Sequence, residues 1–160
     1  ITDLLGIKFV MSIGPLKSDK LEYLSKEGET YLYANKKVFP RVFLAEKVIN
    51  VSNDQEMIDT MFNLGDNLRN TAVMVDDINL NYNSLQNDES AEIISYSANR
   101  SVIQVNTDTP RLMVFTDIYY PSWTAFVDGN RVQIYKVDFA LRGVLVPSGR
   151  HIIEFQDNLL

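Results

Sequence analysis

Turn residues interrupt the second half of this sequence at intervals too short for helices. From residue 91 onward, short apolar runs are separated by Ala98-Asn99-Arg100, Asp128-Gly129-Asn130 and Pro147-Ser148-Gly149. Asp-Gly is a strong hairpin signal because it supplies the positive φ angles that a two-residue turn requires. One run, residues 112–116, is apolar on both faces, which is typical of a central strand. The pattern predicts that residues 91–157 form antiparallel strands joined by hairpins.

The first 65 residues predict further strands and one helix. Leu5 followed by Gly6 is typical of a helix end and its stop. A turn containing Gly28 predicts a hairpin between residues 21–24 and 29–34.

The helix is predicted between residues 52 and 65. Ser52 and Gln55 have the spacing of a capping box, and Gly65 stands where a C-terminal cap belongs. One helical face between them is apolar, and it carries Met57, Ile58, Met61 and Phe62.

The remaining segments complete a mainly β pattern. Residues 71–75 predict a strand, whereas residues 76–90 are rich in Asn, Asp and Ser and predict a loop or an irregular edge strand prone to disorder. We therefore expect a mainly β fold with one or two short helices, arranged as a β-sandwich or jelly-roll-like single domain over residues 1–160.

Charge and cysteine content exclude several classes of function. The net charge is −6, so the chain cannot gain the counterion release that supplies most affinity for nucleic acids. The same charge argues against adhesion to an anionic membrane surface. The absence of cysteine removes thiolate nucleophiles, disulfides and sulfur-ligated zinc. We predict no nucleic-acid partner.

A catalytic centre is hard to assemble from this sequence. His151 is the single histidine, and its place at the start of an apolar strand favours the rim of the core over catalysis. Asp76-Asp77 lacks the alternating spacing of a calcium loop, and the glycines are too scattered for a phosphate loop. We predict no catalytic residue, no metal ligand and no cofactor.

The densest group of aromatic residues is Asp117-Ile118-Tyr119-Tyr120-Pro121-Ser122-Trp123. Three large rings within five residues could form a stacking platform for a sugar. Alternatively, Trp123 anchors the core at the mouth of the Asp-Gly hairpin, with the tyrosines as its half-buried neighbours. The sequence leaves both interpretations open.

The same cluster resembles a segment of a known family. Residues 115–129 read Phe-Thr-Asp-Ile-Tyr-Tyr-Pro-Ser-Trp-Thr-Ala-Phe-Val-Asp-Gly. This resembles the segment Asp-x-Tyr-Tyr-Pro-Gly-Trp-x-Ala-x-Val-Asp-Gly of YfhO-like bacterial membrane proteins. The likeness continues through residues 134–144 and 146–151 and reappears at residues 4–12 and 39–43, although Ser122 stands where the family often has glycine.

The resemblance implies a function outside the cytoplasm. YfhO-like proteins are multi-pass membrane proteins related to GT-C-type glycosyltransferases, and they are linked to sugar decoration of cell-envelope polymers such as lipoteichoic acid. They use a lipid-linked sugar donor, and their catalytic acidic residue lies in an early extracytoplasmic loop. The chain is then the soluble extracytoplasmic domain of such a protein, a non-catalytic accessory to the glycosyltransferase. Because it begins with Ile1 in the middle of a pattern, we interpret it as a piece of a longer protein.

The partners implied are the transmembrane part of the same polypeptide and a cell-wall glycopolymer or lipid-linked sugar. Two other functions stay open, a carbohydrate-binding module and a structural domain for protein contacts at the cell surface. The candidate glycan contacts are Asp117, Tyr119, Tyr120, Trp123, Asp128, Tyr135 and Arg142.

Overall fold

A computed structural model describes residues 2–78, 80 and 83–157. The predicted fold class is confirmed, because the described residues are mostly in strands, with one α-helix and one short 3-10 helix. The chain divides into two compact units, residues 1–41 and residues 42–160. The strands that follow residue 41 pair within the second unit.

The first unit contains a three-stranded antiparallel sheet with the order β1-β3-β2. Its strands are β1 (Phe9–Ser12), β2 (Leu21–Glu27) and β3 (Thr30–Asn35). The predicted hairpin is confirmed as β2 and β3, and Gly28 in its turn has a φ of +57°. That angle is easily adopted only by glycine.

The helix end predicted at Leu5 is wrong, because residues 2–6 form a turn. Asp3 organises this turn from a buried position. Its carboxylate accepts a hydrogen bond from Asn35 Nδ2 at 2.8 Å and pairs with Lys20 Nζ at 3.0 Å. These contacts over a long sequence separation stabilise the turn, and local sequence does not reveal them.

The second unit is a sandwich of two sheets. A five-stranded sheet has the order β11-β10-β14-β8-β7, and a six-stranded sheet has the order β4-β9-β13-β12-β6-β5. The strands are β4 (Val42–Leu44), β5 (Lys47–Asn50), β6 (Thr71–Met74), β7 (Ser90–Tyr96), β8 (Arg100–Thr107), β9 (Arg111–Ile118), β10 (Trp123–Val127), β11 (Asn130–Val132), β12 (Tyr135–Val137), β13 (Leu141–Val146) and β14 (Gly149–Asp157).

The two sheets face each other across an apolar core. The five-stranded sheet contributes side chains from β8, β10 and β14, and the six-stranded sheet contributes side chains from β4, β9 and β13. The rings of Phe115 and Phe155, one from each sheet, have centroids 5.4 Å apart. Strand β9 pairs with β4 on one side and β13 on the other, which confirms the predicted central strand at residues 112–116.

Helix α1 (Asp54–Leu64) connects the parallel strands β5 and β6. Its N-cap is Asn53, whose side chain accepts a hydrogen bond from the Glu56 backbone N–H. Ser52, predicted as the cap, instead donates its backbone N–H to the Glu56 carboxylate at 2.7 Å. The predicted cap was therefore one residue early, because Asn and Ser are both good caps and stand side by side.

The apolar face of α1 is only partly buried. Met57 and Met61 are in the core, as predicted, whereas Phe62 is exposed. Gly65 ends the helix with a φ of +53°, as predicted, and a 3-10 helix (Gly65–Arg69) follows. Neither helix described in the structure is long and apolar enough to cross a membrane.

The chain passes from one sheet to the other just after the Asp128-Gly129 hairpin. The hairpin is confirmed, with φ angles of +49° and +79° at its two central residues. The extended run after the turn is divided between the sheets, because β11 belongs to the five-stranded sheet and β12 to the six-stranded sheet. Gln133 and Ile134 span the crossing.

The segment predicted as a loop at residues 76–90 is partly described, since positions 79, 81 and 82 lie outside the described residues. Residues 83–89 contain no helix or strand. They are held by Arg111, which pairs with Glu89 through two contacts of 2.5 and 2.6 Å and donates to the Asn83 carbonyl. Both charged side chains are buried, so this loop is anchored in the second unit.

Candidate functional site

A groove of about 330 Å³ lies beside the point where the chain crosses between the sheets. One side is formed by residues 119–121 and 123–124, from the turn between β9 and β10 and the start of β10. The other side is formed by residues 131–134, from the end of β11 and the crossing. The groove therefore brings the predicted aromatic cluster to a concave surface.

Backbone hydrogen bonds hold the aromatic turn at both ends. The Tyr119 N–H donates to the Ala140 carbonyl at 2.6 Å, which ties the turn to the residue before β13. The Trp123 N–H donates to the Tyr120 carbonyl at 3.2 Å, which closes the turn around Pro121. The rings thus project from a fixed backbone.

The three rings differ in exposure. Tyr120 is 58% exposed, whereas Tyr119 and Trp123 are half-buried. Trp123 packs against the sandwich core and also lines the groove. The indole therefore packs on the core, as one of the two interpretations predicted, and it also contributes surface to the groove.

Two polar residues of the groove were missed by the sequence analysis. Arg131 and Gln133 are both exposed and line the side opposite the aromatic turn. They stand two positions apart after the Asp-Gly turn, a spacing that places side chains on one face of an extended chain. That alternation was the available signal, although nothing in it pointed to the aromatic turn.

Arg142 lies beneath the indole of Trp123. Its guanidinium carbon is 3.8 Å from the indole centroid and 5.8 and 5.7 Å from the ring centroids of Phe115 and Phe155. Its Nε donates to the Ile118 carbonyl at 2.9 Å, and its Nη1 has no hydrogen-bond partner. The side chain thus occupies an aromatic cage at the end of the sandwich core.

Burial changes the pKa of this arginine. The loss of solvent lowers the pKa of Arg142, and nearby Asp117 acts in the opposite direction. A cation over an aromatic face is attracted by the electrons of the ring, most strongly for tryptophan. Arg142 was predicted as a glycan contact, but because it is buried its effect on a ligand in the groove would act through Trp123.

Asp117 lies next to the groove and does not line it. Its carboxylate accepts a hydrogen bond from the Tyr96 hydroxyl at 3.2 Å, which joins β9 to β7. The ring of Tyr96 packs edge-on against Phe115 at 6.2 Å. Asp117 thus borders the aromatic cage around Arg142.

Asp128 and Tyr135 are not brought to the groove. Asp128 follows β10, at the opposite end from Trp123, and its carboxylate accepts from the Ile152 N–H at 2.8 Å and pairs with His151 Nδ1 at 2.6 Å. The hydrogen bond with His151 lowers the pKa of Asp128, and the same bond raises the pKa of His151. This pair supports the hairpin. Tyr135 is half-buried in β12.

The chemical groups of the groove are those of the side chains that line it. Among the residues the structure describes, no three His, Asp or Glu side chains come together in a way that could hold a metal ion. Asp138, a carboxyl group whose pKa is strongly raised, is buried and does not line the groove. The groove presents three aromatic side chains, a guanidinium and an amide.

The fold and the groove define a class, a mainly β sandwich domain with an aromatic surface groove. Comparisons with protein-family models, with curated proteins and with solved structures found no match to this chain.

Proposed function

We propose that this chain is a non-catalytic accessory domain that binds a carbohydrate polymer in the groove beside Trp123. The observation that carries the proposal is that Tyr120 and Trp123 share one groove with Arg131 and Gln133. Aromatic faces pack against the apolar faces of sugar rings, and side chains with several N–H donors bind hydroxyl or acidic substituents.

The resemblance to YfhO-like proteins supports a place for this domain at the outer face of the bacterial cytoplasmic membrane. There it would hold a cell-envelope polymer, such as a lipoteichoic acid, close to the transmembrane part of the same polypeptide. That part would carry out the glycosyl transfer from a lipid-linked sugar. The role assigned to this domain is to position the acceptor.

The Arg142 cage supports the proposal because it orients the indole in advance. A side chain that is already fixed loses little conformational entropy when a ligand stacks on it. The contact of 3.8 Å on one face of Trp123, together with the hydrogen bond from Arg142 to Ile118, restricts the ring before any ligand arrives. Such rigidity is typical of surfaces that bind by stacking.

Titration with fragments of cell-wall polymers tests the binding. Trp123 is the single tryptophan of the chain, so its fluorescence reports directly on the groove, with calorimetry as an independent measure. Tyr120→Ala should weaken binding about tenfold, which is the effect of one lost aromatic contact. Tyr23→Ala is the matched control, because this tyrosine is 56% exposed and lies in the first unit.

Two results would count against glycan binding. One is the absence of heat and of a fluorescence change with every polymer fragment. The other is an equal loss of affinity in both tyrosine variants. The accessory role needs a separate experiment, in which this domain is deleted from the full-length protein and polymer glycosylation is assayed. Unchanged glycosylation would refute it.

A further inference from the structure

A second concave surface, called here the hollow, lies on the five-stranded sheet and has a volume of about 240 Å³. It is lined by β10 and β14 and by Gly129 from the turn after β10. Its other lining side chains are Phe126, Ile152, Glu154 and Gln156. The volume is below the roughly 300 Å³ at which small-molecule sites begin. The hollow is therefore suited to part of a ligand that extends beyond it.

The hollow lies on the outer face of the sandwich. Phe126 stands between two core residues of β10, and Glu154 stands between two core residues of β14. Successive side chains of a strand point to opposite faces of the sheet, so both side chains point away from the core. Ile152 shares this face with Glu154 and is 40% exposed. The hollow is thus an outward surface with both apolar and polar side chains.

The hollow and the groove beside Trp123 meet along β10. Arg131 lines the groove, and it is the direct partner of Phe126 in the pairing of β11 with β10. Thr124 also lines the groove, and it is the direct partner of Gln156 in the pairing of β10 with β14. Directly opposed residues have Cβ atoms within about 5.5 Å of each other. Each of these two pairs therefore joins a residue of the groove to a residue of the hollow.

Phe126 stands between a cation and an anion in the sheet. Its partner on β11 is Arg131, which is exposed, and its partner on β14 is Glu154. Arg100 Nη2 donates to Oε2 of Glu154 at 2.7 Å, and Gln156 Nε2 donates to Oε1, so the carboxylate is held in place. A sugar ring has an apolar C–H face and hydroxyl groups that both donate and accept. An aromatic ring bordered by N–H donors and a carboxylate matches these groups.

We infer that the carbohydrate chain bound beside Trp123 continues across the hollow, where Phe126 is the centre of a second subsite for neutral hexose or hexosamine units. The inference rests on the proposed function and adds the length of the ligand and the chemistry of its second part. Strand β10 rises about 10 Å from Trp123 to Phe126, which is longer than one sugar ring. A neutral unit is favoured over a phosphate group, because Glu154 would repel a phosphate beside Phe126.

Titration of the whole chain with N-acetylglucosamine chains of two and six units tests this inference, with Trp123 fluorescence as the signal. Phe126→Leu removes the ring and keeps an apolar side chain, and its urea midpoint shows whether the variant is folded. Ile152→Ser, at a more exposed position of the same hollow, is a second variant that leaves the half-buried ring in place. Phe62→Ala is the matched control, because Phe62 is 64% exposed in the second unit and lines neither concave surface.

The six-unit chain should bind the wild type more tightly than the two-unit chain. Phe126→Leu should lower the affinity for the six-unit chain about tenfold, the effect of one lost aromatic contact, and leave the affinity for the two-unit chain unchanged. Ile152→Ser should act in the same direction, and Phe62→Ala should change neither affinity.

Three results would overturn the inference. Equal affinities for the two lengths, or an equal effect of Phe126→Leu on both, would confine the ligand to the groove and leave the proposed function standing. No binding of either chain would remove the neutral sugar chain as the ligand of the hollow. The titration with cell-wall fragments then decides the proposed function by itself, so the two proposals can fail separately.

Discussion

Replacement of Asp138 by Asn should remove the part of the pH dependence of the unfolding free energy that comes from this carboxyl group. The Asp138 carboxyl is buried, its Oδ1 accepts from the Val73 N–H at 2.8 Å, and its Oδ2 has no hydrogen-bond partner. The backbone N–H of Asp138 donates in return to the Val73 carbonyl at 2.8 Å. Asn keeps the acceptor and tolerates the φ of +48° found here, but it cannot ionise.

Burial raises the pKa of Asp138 from its ordinary value of 3.8 to about 7. Below about pH 4 the carboxyl is protonated in both the folded and the unfolded chain. As the pH rises from 4 to 7, the unfolded chain releases this proton and the folded chain keeps it, so the stability falls. Above pH 7 both forms are ionised and the loss is complete. A shift of about three pKa units corresponds to about 4 kcal/mol.

Urea unfolding of the wild type and Asp138→Asn between pH 4 and pH 8 measures this effect. Trp123 fluorescence follows the second unit, which contains both residues. The variant should gain about 4 kcal/mol relative to the wild type over this range, because all other groups titrate equally in the two proteins. Asp76→Asn is the control, since Asp76 is exposed just after β6. The reasoning is refuted if the unfolding free energy of Asp138→Asn minus that of the wild type is independent of pH, or if it decreases as the pH rises.

Two further substitutions test the packing of the second unit. Gly143→Ala should destabilise the second unit by about 1–3 kcal/mol, because the new Cβ would lie 2.8 Å from Val137 Cγ1. Gly14→Ala is the control, since its Cβ meets no atom within 4 Å. Thermal unfolding of the two variants measures the difference. Glu89→Gln should cost about 3 kcal/mol at neutral pH because it leaves the buried charge of Arg111 without its partner. The hydrogen bond from Arg111 lowers the pKa of Glu89 to about 2. The difference in unfolding free energy between the wild type and Glu89→Gln should therefore shrink as the pH falls below 4.5. An unchanged urea midpoint for Glu89→Gln at pH 7 would contradict the prediction.

The strands of the second half could be predicted because their signals are local. Asp128-Gly129 determines a two-residue turn by its own backbone preferences, and the hairpin forms where the sequence places it. Residues 112–116 are apolar on both faces, and only a strand between two others buries both faces. In each case the physical cause lies within a few residues.

The departures arise where distant residues decide the structure. The crossing at Gln133 and Ile134 has no marker of its own, because a strand that changes sheets has the same alternation as one that does not. Phe62 is likewise exposed although it shares the apolar face of α1 with the buried Met57 and Met61. Periodicity gives the face of a helix, but the width of the surface it covers is a tertiary property.

Only part of the candidate site could be predicted from the sequence, for the same reason. Tyr119, Tyr120 and Trp123 are contiguous and were grouped by sequence, whereas Arg131 reaches the groove only because the hairpin folds back beside β10. Arg142 is the sharpest case, since an arginine in a strand is expected at the surface. It is buried because the rings of Trp123, Phe115 and Phe155 surround it. These rings come from both sheets, so the cage forms only when the two sheets pack against each other. The orientation of the indole therefore depends on the tertiary fold, and a substitution that loosens the sandwich at Phe115 or Phe155 should disturb the groove without touching any residue that lines it.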